Sequence, residues 1–150
     1  MRRGALLLAA ASAASCATSR PDYHAVGYLG GDCVDLLALA DEEPLPPGQP
    51  VRLIPLGTAP EASHHLAIVR EEPLHRHDSH DLTVHGLRGE GWLRLRNAAW
   101  ERTIQMGPGT VVFIPRGTAH SFRITGGEPY VALAVFSPAY DGKDAVRAEP

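Results

Sequence analysis

Three histidines stand at positions from which they could hold one metal ion. His75 and His77 are separated by a single residue, so both imidazoles point to the same side if this stretch is a β-strand. His120 follows the turn-forming sequence Pro115-Arg116-Gly117, where a returning strand would begin. Imidazole nitrogen suits several divalent transition metals, so the pattern predicts one ion of Fe, Mn, Ni, Cu or Zn.

Short strands joined by frequent turns must position these histidines. The chain has 15 glycines and 13 prolines, and many of them interrupt stretches of alternating apolar and polar residues, which is typical of strands. We predict strands at 51–56, 66–70, 82–88, 92–96, 103–106, 111–114, 121–125 and 131–136. No stretch predicts a helix of ordinary length. The pattern therefore indicates an all-β domain, a sandwich or a barrel, at residues 51–138.

The spacing around His120 resembles the second motif of the cupin superfamily. That motif is matched at Gly109, Pro115, Gly117 and His120, whereas Ile124 stands where asparagine is usual. The resemblance implies a double-stranded β-helix, or jelly-roll, barrel, and it implies a homodimer as the common assembly. Because cupins host many activities, it implies no particular substrate.

The first cupin motif is matched less completely. His75, His77 and Gly89 fit it, but its opening glycine would fall at Val69. In metal-binding cupins the two histidines of this motif, its glutamate and the second-motif histidine are the ligands. The resemblance therefore implies that His75, His77 and His120 bind the metal.

The glutamate of the first motif has no direct counterpart, because Leu82 occupies its position. Adjacent strand residues face opposite sides, so Asp81 and Leu82 cannot both point inward. If Leu82 points inward, the site is three histidines alone, as in some thiol- and diketone-oxidising cupins. If Asp81 points inward, it becomes a fourth ligand and His85 faces the site as well. We expect the second arrangement, with His80 as a further candidate ligand.

Two classes of function are compatible with such a site. An open metal site could bind substrate and dioxygen together, or act as a Lewis acid with His80 or His85 as the base. Alternatively, the domain is a binding module for a small molecule or a metal, without turnover. The net charge of −3 gives no sign of the basic surface that nucleic-acid binding requires.

The beginning of the chain has the features of an export signal. Residues 1–15 contain two arginines followed by a short apolar run rich in alanine, too short to span a bilayer. Small residues precede Cys16 as in the lipobox of bacterial lipoproteins, although Ala13 replaces the usual leucine. We expect a periplasmic domain that Cys16 anchors to the membrane through lipid, with plain secretion or a misjudged start of the chain as the alternatives.

The remaining segments are expected to lie outside the barrel. Residues 16–50 are interpreted as a tether and an irregular segment, and residues 139–150 as a tail. If Cys16 is lipidated, Cys33 is left as a lone thiol, which we expect to be buried as a small apolar side chain.

Overall fold

The structure, a computed structural model, describes residues 25–149. Twelve strands and one helix follow in chain order. They are β1 (Val26–Leu29), β2 (Asp32–Asp35), α1 (Leu36–Glu42), β3 (Val51–Ala59), β4 (Ala62–Val69), β5 (Glu71–His77), β6 (Asp81–Arg88), β7 (Gly91–Arg96), β8 (Glu101–Met106), β9 (Val111–Ile114), β10 (Ala119–Ile124), β11 (Tyr130–Ser137) and β12 (Ala145–Arg147).

Ten of these strands form two five-stranded antiparallel sheets. The order is β12-β5-β10-β7-β8 in the first sheet and β3-β4-β11-β6-β9 in the second. Side chains from both sheets meet in one apolar core, in which Leu93, Leu95 and Phe122 of the first sheet join Ala132 and Phe136 of the second. The expected all-β jelly-roll barrel is confirmed.

The segment before the barrel is more ordered than the sequence led us to expect. Strands β1 and β2 form a hairpin, and α1 follows at once, with the Asp35 side chain accepting hydrogen bonds from two backbone amides of its first turn at 3.0 Å. Such a cap satisfies amides that a helix start leaves without partners. The prediction of an irregular segment is therefore wrong for residues 26–42.

The hairpin and α1 cover the outer face of the second sheet. Leu36, Leu37 and Ala40 of the helix share a buried cluster with Leu66 and other residues of β4 and β11. Residues of β4 consequently alternate between two apolar environments, the barrel interior and the contact with α1, rather than between core and solvent. Burial on both faces explains the continuous apolar sequence of residues 66–69 in β4 and of most of β11.

The segment interpreted as a tail is also part of the barrel. Strand β12 pairs antiparallel with β5, and Ala145 lies opposite His77 while Arg147 lies opposite His75. Facing residues of an antiparallel pair project from the same side of the sheet. Ala145 and Arg147 therefore lie on the side of the two histidines.

Cys33 is disulfide-bonded, so the expectation of a lone thiol is wrong. Its partner lies outside the described residues, as does Cys16, the residue for which lipidation is expected. Within residues 25–149, no helix has the length and apolar character needed to cross a membrane.

Candidate metal centre

Two neighbouring strands bring the three histidines together. His75 and His77 belong to β5, and His120 lies on β10 directly opposite His75. One ring nitrogen from each histidine can be chosen so that all three atoms lie within 4.8 Å of one another. The ring centroids are 4.2 Å apart for His75 and His120, 5.1 Å for His75 and His77, and 5.5 Å for His77 and His120.

The turn that precedes β10 fixes the position of His120. Gly117 has a φ of +78°, a left-handed conformation that glycine adopts without steric cost. Its amide donates a hydrogen bond of 2.7 Å to the carbonyl oxygen of His77. The end of β5 and the start of β10 are thereby tied together next to the histidines.

Each of the three imidazoles uses its Nδ1 atom in a hydrogen bond with a backbone carbonyl. The acceptors are Pro73 for His75 at 2.8 Å, Asp144 for His77 at 3.2 Å and Thr118 for His120 at 3.2 Å. A carbonyl oxygen only accepts, so Nδ1 carries the proton in each bond. In the neutral imidazole this leaves Nε2 with its lone pair free, which is how histidine ligands are usually oriented by the groups behind them.

The Nε2 atom of His120 is buried and has no hydrogen-bond partner among the described residues. A buried polar atom without a partner costs roughly 1–3 kcal/mol, so its retention calls for a further group at this position. Burial, followed by the proximity of His75, lowers the pKa of His120 to about 3, and the same two causes lower the pKa of His77. Both rings are therefore neutral near neutral pH, the form that binds a metal. The residues present fit a divalent ion.

Asp81 does not join the three histidines, contrary to our expectation. Its carboxylate accepts hydrogen bonds from the backbone amide of Arg116 at 2.9 Å and from the Arg116 guanidinium at 2.8 Å and 3.2 Å. These bonds lower the pKa of Asp81 to about 2. Leu82 points inward instead and is buried in the core. The structure thus has the other register of β6, with a site of three histidines alone.

The two remaining histidines considered as ligands or bases are also elsewhere. His85 is exposed, as the register of β6 requires. His80 is buried, and its ring nitrogens lie 2.6 Å from an oxygen of the Asp144 carboxylate and 3.2 Å from the carbonyl oxygen of Ala139. Neither nitrogen of His80 is left for a metal or a substrate.

Asp144 supports the site from a segment that the sequence led us to regard as a tail. Its backbone carbonyl accepts from His77, while its carboxylate accepts from the amides of Asp78 and Ser79 and contacts His80. Burial alone would raise the pKa of Asp144, but the hydrogen bonds from His80 and Ser79 lower it below its usual range. Asp144 therefore holds both the His77 ring and the loop that follows β5.

The three histidines line a cavity of about 480 Å³ that lies between the two sheets and is partly open to solvent. Apolar side chains form most of its wall, among them Leu53, Leu82, Met106 and Phe122. Besides the histidines, the polar residues that border it are Glu72, Tyr130, Tyr140 and Arg147. The volume suits a small organic molecule that places one end at the histidines.

Glu72 and Tyr140 are cavity residues that the sequence reasoning missed. The ring of Tyr140 stacks on Phe136 at 4.4 Å and contacts the edge of His77 at 5.5 Å. Burial is the main cause of a raised pKa at both Glu72 and Tyr140. Glu72 stands three residues before His75, and a regular strand would turn it away from the histidines.

Comparison with known proteins identifies the family. A family model described as "Cupin domain" matches residues 63–136. An uncharacterised protein of Aquifex aeolicus is 40% identical over 100 residues, which is 66% of this chain and 78% of the relative. The chain belongs to the cupin superfamily.

A curated relative with a named activity is similar over a shorter stretch. The glucose-6-phosphate isomerase of Thermococcus kodakarensis is 43% identical over 61 residues, 40% of this chain. The aligned part of this chain spans only 32% of the isomerase.

Solved structures support the same fold. A protein of Thermus thermophilus has a TM-score of 0.60 at 24% identity, covering 71% of this chain and 97% of its own. The oxalate decarboxylase of Lactobacillus farciminis has a TM-score of 0.53 at 26% identity, covering 60% of this chain and 29% of its own.

Proposed function

We propose that the protein is a mononuclear metal enzyme in which His75, His77 and His120 bind one divalent ion. The observation that supports this most directly is the shared hydrogen-bond pattern of the three rings. Each Nδ1 atom donates to a backbone carbonyl, so each Nε2 atom is available to one ion. Three protein ligands leave coordination positions open for a substrate, as is usual in catalytic metal sites.

The cavity wall supports a substrate that is small and mainly apolar. Strand β12 places Arg147 opposite His75, and within residues 25–149 no ion pair engages its guanidinium. A guanidinium pairs well with a carboxylate, so we propose an apolar substrate that carries an anionic group. A sugar phosphate fits less well, because the apolar wall would leave most of its hydroxyl groups without partners.

Of the two reaction classes considered from the sequence, oxygenation is better supported. Lewis-acid chemistry would use His80 or His85 as its base, but His80 is engaged by Asp144 and Ala139, and His85 is exposed. A redox-active ion at an open site would supply the means to bring substrate and dioxygen together. The protein contributes three imidazole ligands, a largely apolar cavity wall, and the side chain of Arg147 as the group that binds the anion.

Metal analysis and oxygen uptake test this proposal. Protein purified without a histidine tag is expected to retain a transition metal, and the Fe(II)-loaded form is expected to consume oxygen with one of three probes. These are mercaptopropionate and phenylacetate, which carry a carboxylate and represent the thiol and apolar carboxylate classes, and acetylacetone, a diketone that becomes anionic when it binds a metal as the enolate. Anaerobic conversion of a probe would favour Lewis-acid chemistry instead. A metal-free protein that copurifies with an ordered small molecule would contradict the enzyme and favour a binding module.

We also propose that the domain is exported and held at the membrane through lipid on Cys16, a residue outside those described. The signal-like composition of residues 1–15 supports export. The chain has two cysteines, so the lipidated protein cannot also carry an intrachain disulfide of Cys33. The anchored form and a disulfide-bonded form without an anchor are therefore alternatives that a mass measurement distinguishes. Intact-mass measurement of protein from the membrane fraction should find a diacylglycerol adduct. A soluble product whose cysteines carry no modification other than a disulfide would contradict the anchor.

A further inference from the structure

The register between β5 and β10 contains an irregularity beside the metal centre. His120 pairs with His75, and Phe122 pairs with Glu72, so two steps along β10 correspond to three steps along β5. The extra residue on β5 is a β-bulge, which reverses the side on which preceding residues project. Glu72 therefore faces the same side as Phe122 and the histidines, despite its odd spacing from His75.

The two neighbouring glutamates confirm this change of side. Glu71 projects outward, where its carboxylate accepts a hydrogen bond of 2.6 Å from Arg123. Glu72 borders the cavity. Among residues 25–149, no hydrogen bond or ion pair engages the Glu72 carboxylate, which interacts only electrostatically with His75 and Tyr140.

Glu72 is half-buried, and a carboxylate that faces the apolar wall of a cavity without a partner carries a desolvation cost. Desolvation disfavours its charged form, and a buried acid in such surroundings is retained at functional sites more often than elsewhere. Glu72 is also the one carboxylate among the described residues that border this cavity. Its position therefore calls for a positive partner inside the cavity.

A divalent ion bound by three histidines would need a negative partner nearby. Such an ion brings two positive charges into an apolar space, and the histidines offset none of them. The first cupin motif would supply a glutamate for this purpose, but this chain has Leu82 there, and Asp81 is held by Arg116.

We propose that Glu72 is the carboxylate of this metal centre, which compensates the charge of the ion from the cavity wall in place of the missing glutamate. The inference rests on the proposed function, because it requires that the histidines bind a divalent ion. Glu72 is not a ligand in this arrangement, since the group of close ligand atoms comprises the three histidines alone. It acts as an outer partner that increases the affinity of the histidines for the ion.

The affinity of the purified protein for Co(II), measured by competition with a chelator, tests the role of Glu72. Glu72→Gln keeps the size of the side chain and removes its charge, so we expect Co(II) affinity to fall by roughly 10–100-fold, as for other outer partners. Glu72→Asp keeps the negative charge, so its Co(II) affinity should fall less than that of Glu72→Gln. Glu71→Gln and Asp81→Asn are matched controls with outward-facing carboxylates, and their affinities should equal that of the wild type.

Two further measurements separate this role from a structural one. Without metal, Glu72→Gln should melt at the same temperature as the wild type or higher, because it removes an unpaired charge from an apolar wall. A lower melting temperature would indicate that Glu72 stabilises the barrel itself, against the proposal. The visible absorption of bound Co(II) should keep its intensity in Glu72→Gln. A change of intensity would make Glu72 a direct ligand and overturn its placement as an outer partner.

Two outcomes of the Co(II) titration separate the role of Glu72 from the existence of the metal site. If the wild-type protein binds no Co(II), the proposal of a metal enzyme is wrong, and so is the proposed role of Glu72. If the wild type binds Co(II) and Glu72→Gln binds it equally well, the metal centre stands and only the role of Glu72 is wrong.

Discussion

Replacement of His120 by alanine is expected to abolish metal binding at micromolar metal concentrations. His120 is the single ligand contributed by β10, and without it two histidines of one strand remain. Removing a ligand should reduce metal affinity more than removing an outer partner does, so we expect the affinity to fall by more than about 100-fold. Metal content by mass spectrometry and Co(II) titration would measure the effect.

Two companion variants make the His120 result specific. His120→Phe fills the same space without a ligand atom, and it should lose the metal while keeping more of the packing around a side chain that is only 1% exposed. His85→Ala removes an exposed histidine from β6 and should bind metal as the wild type does. Equal metal content in His120→Ala and the wild type would contradict the assignment of the site.

Replacement of Gly86 by alanine is expected to destabilise the barrel severely. A Cβ atom at this position would lie 2.1 Å from the carbonyl oxygen of Gly107 and 2.4 Å from the hydroxyl of Tyr130. The opposing backbone cannot easily move away, because Gly86 exchanges hydrogen bonds with the loop after β8, to Thr110 at 2.8 Å and from Gly109 at 2.9 Å. We expect a loss of about 3 kcal/mol or more in the free energy of unfolding.

Thermal unfolding followed by circular dichroism would measure the Gly86 effect, with an expected fall in melting temperature of roughly 10 °C or more. Gly57→Ala is the matched control, because this strand glycine has no atom within 4 Å of an added Cβ. Its melting temperature should stay close to that of the wild type. A similarly small change in Gly86→Ala would show that the loop after β8 moves away at little cost.

The barrel and the histidines could be predicted from sequence because their signals are local. Turn residues separate the strands, and the spacing of Pro115, Gly117 and His120 predicts one tight turn. The position of Asp81 could not be settled in this way, since it depends on how the short loop after His77 enters β6. The apolar side chain of Leu82 gains roughly 1.5–3 kcal/mol from burial, whereas Asp81 finds Arg116 outside. This difference in burial sets the register of β6.

Glu72 and Asp144 were missed for different reasons. The inward position of Glu72 depends on a bulge, for which Pro73 is the one local signal, because proline within a sheet is largely confined to edges, strand starts and bulges. Asp144 contacts residues more than sixty positions away in the sequence, and no local sequence pattern around it predicts these contacts. The ordered segment before the barrel did carry a signal, since Asp35 stands directly before the apolar run of α1.

The bulge in β5 also determines which insertions and deletions this site tolerates. Removing one residue between Glu72 and His75 would leave them two positions apart, and a strand without the bulge would still turn both toward the interior. The same deletion within the regular strand β7 would send Leu93 or Leu95 to the surface. Homologous chains can therefore differ in length at this point and keep an acid on the same side of the sheet. A structural comparison would find that acid, whereas a sequence motif with a fixed spacing to the histidines would miss it.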